Sequence, residues 1–308
     1  MIFPHPLRRG DKIAIISPAS IVKDEYIDGA TEFLMRNGLD PVVLPFARGP
    51  HSGSYASSEN QRLSDLKEAI TNQEYKAILC ARGGYGCVHL LPRINTASII
   101  QNPKWLIGFS DVSALHALWQ KAGVASIHGP MAKHLATLPS DDPCSEALIY
   151  LLFNGNKMQY SVAGSPYNRN GVAVGRLIGG NLAVLNGLAG TPYDLFKKAM
   201  EEDVILFIED ISEAIYAVER MLIRLYLSGS LHKLKGLIIG QFTEYKPDRN
   251  HASIEEMADR LLARFGINDI PVAFSFPVGH TDANYPLIEG AEVCLEVTDN
   301  DVKLFSIN

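Results

Sequence analysis

The sequence has no stretch rich in lysine and arginine, and its acidic residues outnumber its basic ones. The 28 Lys and Arg residues against 34 Asp and Glu residues give a net charge of −6. Surfaces that bind nucleic acids need clustered positive charge, so the composition predicts a protein without a nucleic-acid partner. No apolar run is long enough to cross a bilayer, and residues 1–10 contain two prolines but no apolar core of a signal peptide. We therefore expect no membrane partner and a cytoplasmic location.

Cysteine is scarce, and its spacing is not that of a structural framework. The four cysteines are far apart and include no Cys-x-x-Cys pair, which argues against both a disulfide scaffold and a zinc site. Histidines and carboxylates do not occur at the spacings of metal-binding motifs either. The sequence therefore predicts a protein without a metal and without a cofactor.

A chain of 308 residues is long enough for two cores. In the first half, short apolar runs alternate with helical patterns, which is typical of a mostly parallel sheet covered by helices. A run of turn-forming residues then predicts a linker over 163–172. We expect an α/β domain over 1–162 and a smaller, β-rich domain over 173–308.

One corner of the first domain has the pattern of a catalytic element. An apolar strand over 105–109 runs into Ser110 and Asp111, and a helical pattern begins at Val112. A serine at a strand-to-helix corner is presented as a nucleophile, with helix amides directed at its ligand. Hydrolase elbows of this type have a second glycine where this chain has Val112. A plain turn with Ser110 or Asp111 as the helix N-cap is the alternative.

A glycine-rich turn follows the preceding strand. Residues 81–86 read Ala-Arg-Gly-Gly-Tyr-Gly, which matches neither phosphate-binding glycine motif. Such a turn can direct backbone amides at an oxyanion, although a simple tight turn remains an equal interpretation.

A nucleophilic serine needs a base, and the base needs a group to orient it. His280 follows an apolar strand and a glycine, which places it on a loop held by a firm scaffold. Glu209 stands at the end of the apolar run 204–208. A salt bridge or a helix cap would equally explain Glu209, and Glu213 is the competing carboxylate.

Six blocks of the sequence, taken together, resemble the LD-carboxypeptidases, which are cytosolic serine peptidases of peptidoglycan recycling. The blocks occur in the family's order and cover 6–14 with 17–19, 81–86, 108–113, 179–182, 206–211 and 277–280. The resemblance implies an amino-terminal α/β domain with a mostly parallel sheet, a smaller β-rich carboxy-terminal domain, an active site in the cleft between them, and a homodimer.

The resemblance also implies roles for particular residues. It implies a triad of Ser110, Glu209 and His280, and an oxyanion hole formed by the amides of Asp111 and Gly84. Arg82 is our candidate for the substrate carboxylate, because a guanidinium matches carboxylate geometry, although an ion pair that braces the loop would explain it equally well.

The predicted reaction is release of the terminal D-alanine from a muropeptide, by cleavage of its bond to the L-centre of a diamino acid. Self-immunity proteins that cleave peptidyl-nucleotide antibiotics resemble the same family, and the six blocks do not separate the two specificities. A catalytically silent peptide-binding protein is the alternative from another functional class.

Overall fold

The structure is a computed structural model, and it describes residues 1–307. Within that range there are thirteen strands and nine α-helices. The strands are β1 (Lys12–Ile16), β2 (Asp40–Val43), β3 (Tyr75–Cys80), β4 (Trp105–Gly108), β5 (Ser126–His128), β6 (Gln159–Ala163), β7 (Gly171–Asn181), β8 (Val204–Ile211), β9 (Gly236–Thr243), β10 (Val272–Gly279), β11 (Leu287–Glu289), β12 (Glu292–Val297) and β13 (Asp301–Ser306). The helices are α1 (Asp24–Arg36), α2 (Glu59–Thr71), α3 (Thr96–Gln101), α4 (Ser113–Ala122), α5 (Ala132–Thr137), α6 (Pro143–Asn154), α7 (Leu182–Gly187), α8 (Ile215–Leu227) and α9 (Ile254–Arg264).

The first compact unit comprises Met1–Asn156 and Asp282–Gly290. Its six strands lie in the order β11-β5-β4-β3-β1-β2, and all neighbours are parallel except β11 with β5. Strand β4 and the segments 13–16 of β1 and 77–80 of β3 are apolar and buried, as expected when crossover helices cover both faces of a parallel sheet. This unit is the predicted α/β domain.

The second compact unit comprises Lys157–Thr281 and Ala291–Asn308. Its seven strands lie in the order β10-β9-β8-β7-β12-β13-β6. The four strands from β10 to β7 are parallel, and those from β7 to β6 are antiparallel. The mixed sheet agrees with the expected fold class, in which a second, β-rich domain follows a mostly parallel α/β domain.

The limits of these units differ from the domain limits predicted by the sequence. The predicted linker over 163–172 joins β6 to β7, and both strands belong to the second unit's sheet. Segment 282–290, which the sequence analysis included in the second domain, adds β11 to the edge of the first unit's sheet. The physical reason is that β6 and β11 join their sheets by pairing with strands that are distant in the sequence. Local composition does not indicate such pairing.

Strand β4 ends one residue before the end of the apolar strand predicted over 105–109. Helix α2 begins where Ser58 and Gln61 form a capping box. Strand β8 is longer than expected and continues to Ile211, so Glu209 lies within the strand. No helix in residues 1–307 is both long enough and apolar enough to span a bilayer.

Candidate active site

Ser110 occupies a sharp corner between β4 and α4. Its φ angle is 64°, in the left-handed region that side chains other than glycine rarely adopt. A short 3-10 turn over Ser110–Val112 connects the corner to the helix. Val112, at the place of the second glycine in hydrolase elbows, is fully buried in the core. A strained serine at the end of a parallel strand, with its side chain half-buried, is the geometry of a nucleophile elbow.

The glycine turn after β3 approaches this corner through Gly83. A Cβ on Gly83 would lie 2.9 Å from Ser110 Cβ, 3.1 Å from Ser110 Oγ and 3.1 Å from the Asp111 amide nitrogen. Only a residue without a side chain fits there. Gly84, which the sequence analysis placed in the oxyanion hole, has a φ of 102° and packs against Ser20. The amides of Asp111 and Gly84 donate to no protein acceptor within residues 1–307.

The Asp111 side chain has a structural role. It is buried, and its Oδ2 accepts a hydrogen bond of 2.8 Å from the Cys87 amide. Burial raises the pKa of Asp111, while the Cys87 hydrogen bond opposes that rise. Asp111 is not the N-cap of α4, because Val112 holds that position and no side chain caps the helix. Asp111 instead ties the corner to the segment after the glycine turn.

Glu209 and His280 form a hydrogen-bonded pair in the second unit. His280 Nδ1 lies 2.7 Å from Glu209 Oε2, so Nδ1–H donates to the carboxylate and Nε2 is left as the basic nitrogen. Glu209 is fully buried, and its Oε1 has no hydrogen-bond partner within residues 1–307. The His280 side chain is 14% exposed. A buried carboxylate holding a partly accessible imidazole is the orienting arrangement that a general base needs.

The strands that contain or precede Glu209 and His280 have irregular pairing. The β8–β9 register shifts between Ile208 and Asp210, and the β9–β10 register shifts between Phe274 and Gly279. Such interruptions re-aim side chains next to functional sites. Gly279 has a φ of 127°, and a Cβ there would lie 2.9 Å from Glu209 Cβ. A glycine before His280 therefore allows the close approach of the Glu209 and His280 side chains.

Asp210 and Glu213, which are close to Glu209 in the sequence, have different hydrogen-bond partners from Glu209. Asp210 is buried and accepts hydrogen bonds from Asn181 Nδ2 and from the amides of Ala183 and Ile211. Burial, followed by the Glu209 charge, raises the pKa of Asp210 to about 6. Glu213 is half-buried and has no hydrogen bond to His280. Of the carboxylates considered from the sequence, Glu209 is the one in contact with the imidazole.

Arg82 precedes the two glycines of the turn and is exposed. Its Nη1 donates to the Ile21 carbonyl oxygen at 2.5 Å. No carboxylate in residues 1–307 forms an ion pair with it. The bracing ion pair considered from the sequence is thus replaced by a single backbone contact, which leaves most of the guanidinium donors for a ligand.

Comparison with known proteins gives the family. Residues 13–129 match the LD-carboxypeptidase N-terminal domain, and residues 174–295 match the LD-carboxypeptidase C-terminal domain. A probable murein peptide carboxypeptidase of Bacillus subtilis is 31% identical, over 96% of this chain and 92% of its own length. The chain belongs to the LD-carboxypeptidase family. It is thus a member of a carboxypeptidase family, as the sequence blocks predicted.

Two further similarities bear on specificity within the LD-carboxypeptidases. The crystal structure of muramoyltetrapeptide carboxypeptidase from Oxalobacter formigenes has a TM-score of 0.84 and 29% identity, over 96% of this chain and 99% of the other. The microcin C7 self-immunity protein MccF of Escherichia coli is 26% identical, over 97% of this chain and 94% of its own. Both similarities extend over nearly the whole chain.

The six candidate site residues all lie within the two family matches. Arg82, Gly84, Ser110 and Asp111 lie in the first matched region, and Glu209 and His280 in the second. No group of three or more His, Cys, Asp or Glu side chains in the described part of the chain is arranged to hold a metal ion. One polar cluster beneath the Ser110 corner, centred on His116 and Glu289, is not predicted by the sequence, because these residues are far apart in the chain.

Proposed function

We propose that this protein is a serine LD-carboxypeptidase that removes the terminal D-alanine from peptidoglycan tetrapeptides. The bond broken joins the L-centre of a diamino acid to D-alanine. The proposal rests on the left-handed backbone conformation of Ser110, at the corner that follows β4. Its strain is the kind that persists at functional sites because the surrounding structure enforces it. The muramoyltetrapeptide carboxypeptidase similarity supports the substrate class.

In the proposed mechanism, His280 Nε2 takes the proton from Ser110 Oγ as that oxygen attacks the scissile carbonyl carbon. Glu209 holds Nδ1–H and balances the positive charge that forms on the imidazole. The amides of Asp111 and Gly84 stabilise the negative oxygen of the tetrahedral intermediate. The C–N bond then breaks, and His280 returns its proton to the amine of the departing D-alanine.

The second half of the reaction regenerates the serine. Water attacks the acyl-enzyme while His280 removes one of its protons, and the ester bond to Ser110 Oγ breaks as His280 protonates that oxygen. No step in this sequence consumes or produces a redox equivalent. The products are D-alanine and the shortened peptide with a new carboxylate.

An exopeptidase must also recognise the carboxylate at the end of its substrate. We assign this contact to Arg82, which lies next to the glycine turn and is exposed. A guanidinium–carboxylate pair can form two parallel hydrogen bonds, which fixes the terminal residue in both position and orientation. This contact would favour a terminal amino acid over an internal peptide bond.

We further propose that the enzyme acts in the cytoplasm as a homodimer, as the family resemblance implies. Cytoplasmic action fits a role in recycling of wall fragments that have re-entered the cell. Sedimentation of the purified protein at several concentrations tests the dimer, and a monomer at all concentrations would contradict it.

Cleavage of a peptidyl-nucleotide is the second candidate, favoured by the similarity to the microcin C7 self-immunity protein. The two candidates are separated by incubating the protein with a muramyl tetrapeptide and with an aminoacyl-sulfamoyl adenylate. We expect D-alanine release from the tetrapeptide, detected by mass spectrometry. Cleavage of only the adenylate would overturn the proposed substrate, and binding of the tetrapeptide without cleavage would indicate a silent binding protein.

A further inference from the structure

A buried polar cluster lies beneath the nucleophile corner, within the first unit. His116 on α4 is fully buried, and its Nε2 lies 2.9 Å from the carbonyl oxygen of Gly108. Gly108 ends β4, two residues before Ser110. The same carbonyl also accepts from the Gly129 amide at 3.1 Å. His116 is therefore a direct side-chain contact to the backbone that leads into the strained serine.

These contacts define which ring nitrogen of His116 is protonated. A carbonyl oxygen can only accept, so Nε2 must be the nitrogen with the proton. Nδ1 lies 2.8 Å from Ser126 Oγ and accepts the serine hydroxyl when the ring is neutral. Burial, partly opposed by the Gly108 hydrogen bond, lowers the pKa of His116 to about 4, which keeps the ring neutral near pH 7.

Glu289 on β11 completes the cluster. It is fully buried, and its Oε1 lies 3.6 Å from His116 Nδ1. Neither of its carboxyl oxygens has a hydrogen-bond partner within residues 1–307. Burial raises the pKa of Glu289 well above its ordinary value, which favours the protonated, neutral acid beside the neutral ring. His128 and Gln120 also line this region, with the His128 ring centroid 6.2 Å from that of His116.

The position of Glu289 in the chain makes this contact unusual. Glu289 lies on β11, whose register pairs Glu289 with Ser126 of β5. The segment that contains β11 leaves the second unit immediately after His280 and Thr281. The residue that confines the His116 ring thus belongs to the stretch of chain that follows the proposed general base. A buried acid is costly to retain without a role.

We propose that His116 and Glu289 are positioning residues for the nucleophile, with Glu289 confining the His116 ring and His116 Nε2–H holding the Gly108 carbonyl so that Ser110 keeps its left-handed conformation. The inference rests on the proposed serine mechanism. Neither residue contacts the substrate in this role. Their loss therefore lowers the rate of acylation while leaving substrate binding intact.

The first test compares two amides at one position. In His116→Gln the amide nitrogen lies where Nε2 lies in histidine, and it can still donate to Gly108. In His116→Asn the shorter side chain cannot reach that carbonyl. We expect His116→Gln to retain kcat within about twofold, and His116→Asn to lose about three- to tenfold in kcat at unchanged KM, since one neutral hydrogen bond is lost. Equal kcat in the two variants would overturn the proposal.

The second test concerns Glu289. We expect Glu289→Gln to retain kcat, because glutamine matches a neutral acid in shape, and Glu289→Leu to lower it. The effect of Glu289→Leu should disappear in the His116→Asn background, because the two residues act through one contact. A full additional loss in the double variant would contradict the proposal. If the His116 variants do not fold, equal kcat in Glu289→Gln and Glu289→Leu overturns it.

Thermal unfolding of each variant separates positioning from general stability. Under the proposal, the kcat of a variant depends on whether the side chain at position 116 can donate a hydrogen bond to the Gly108 carbonyl oxygen. The melting temperatures of the variants need not follow the same order. If wild-type protein releases no D-alanine, the proposed function fails, and the rate of Ser110 labelling by a fluorophosphonate replaces kcat. The positioning role then requires slower labelling of His116→Asn than of His116→Gln, and equal rates would overturn it.

Discussion

Replacing Glu209 by glutamine should disable catalysis without unfolding the protein. The carboxylate is fully buried and lies 2.7 Å from His280 Nδ1. Glutamine has nearly the same shape, and its amide oxygen can still accept the Nδ1–H bond. Only the negative charge is lost, and burying a neutral amide costs less than burying a carboxylate. We therefore expect the free energy of unfolding to be maintained or raised.

The size of the kinetic effect follows from that lost charge. The positive imidazole in the transition state and the carboxylate have charge centres about 4 Å apart, where two unit charges attract by about 4 kcal/mol at an effective dielectric constant of about 20. Each 1.36 kcal/mol changes a rate about tenfold. Glu209→Gln should thus lower kcat by about 10³-fold, with little change in KM. Because His280 is partly exposed, solvent weakens this attraction, and we expect a somewhat smaller decrease in kcat.

Glu213→Gln is the matched control for this experiment. Glu213 lies close to Glu209 in the sequence, is half-buried, and has no hydrogen bond to His280. The assay is D-alanine release from a defined tetrapeptide, with kcat and KM determined separately and folding checked by circular dichroism. If Glu209→Gln retains more than about a tenth of wild-type kcat, the loss of transition-state stabilisation is under about 1.4 kcal/mol, which contradicts the prediction. An equal loss of activity in Glu209→Gln and Glu213→Gln also contradicts it.

Three further predictions concern the same protein. Gly83→Ala should lower kcat/KM at least about tenfold, because its Cβ would lie 2.9 Å from Ser110 Cβ; wild-type kinetics in a folded variant would contradict this. Arg82→Ala should raise KM about 10-fold or more through loss of a charged hydrogen bond, with kcat changed less, and steady-state kinetics with a C-terminally amidated substrate should show no such difference. The raised pKa of Glu289 means that the folded protein keeps a proton which the unfolded chain loses above about pH 4.5. Its contribution to stability is complete below that pH and declines as the pH rises, by at most about 1.4 kcal/mol per pH unit. The stability of Glu289→Gln, measured by urea unfolding, should therefore increase relative to that of wild type as the pH rises above about pH 4.5. Parallel pH curves for the two proteins would exclude the raised pKa.

Much of the candidate site could be predicted because its residues stand at the ends of apolar strands. Ser110 follows β4, Glu209 lies near the end of β8, and His280 follows β10. Apolar runs that end abruptly in a polar residue are visible in the sequence, and parallel strands bring such ends to one edge of a sheet. The hydrogen bond between Glu209 and His280 agrees with that reasoning, although their catalytic roles stay a prediction.

The remaining features depend on contacts between distant segments. Strand β11 is three residues long and has no periodicity of its own, so the sequence did not indicate that segment 282–290 returns to the first unit. The contact of Glu289 with His116 depends on that return. The conformation of Ser110 was likewise not visible, because a left-handed residue is enforced by its surroundings and not by its own preference.

The proposed function depends on Ser110 as the nucleophile of a carboxypeptidase. Its most direct test is mass-spectrometric detection of D-alanine release from one tetrapeptide by wild type, Ser110→Ala and Ser113→Ala. Ser113 begins α4 directly after the turn that contains Ser110 and is fully buried, which makes it a matched control. We predict release by wild type and Ser113→Ala, unaffected by a metal chelator, and none above background by Ser110→Ala. Release by Ser110→Ala at the wild-type rate would show that Ser110 is not the nucleophile.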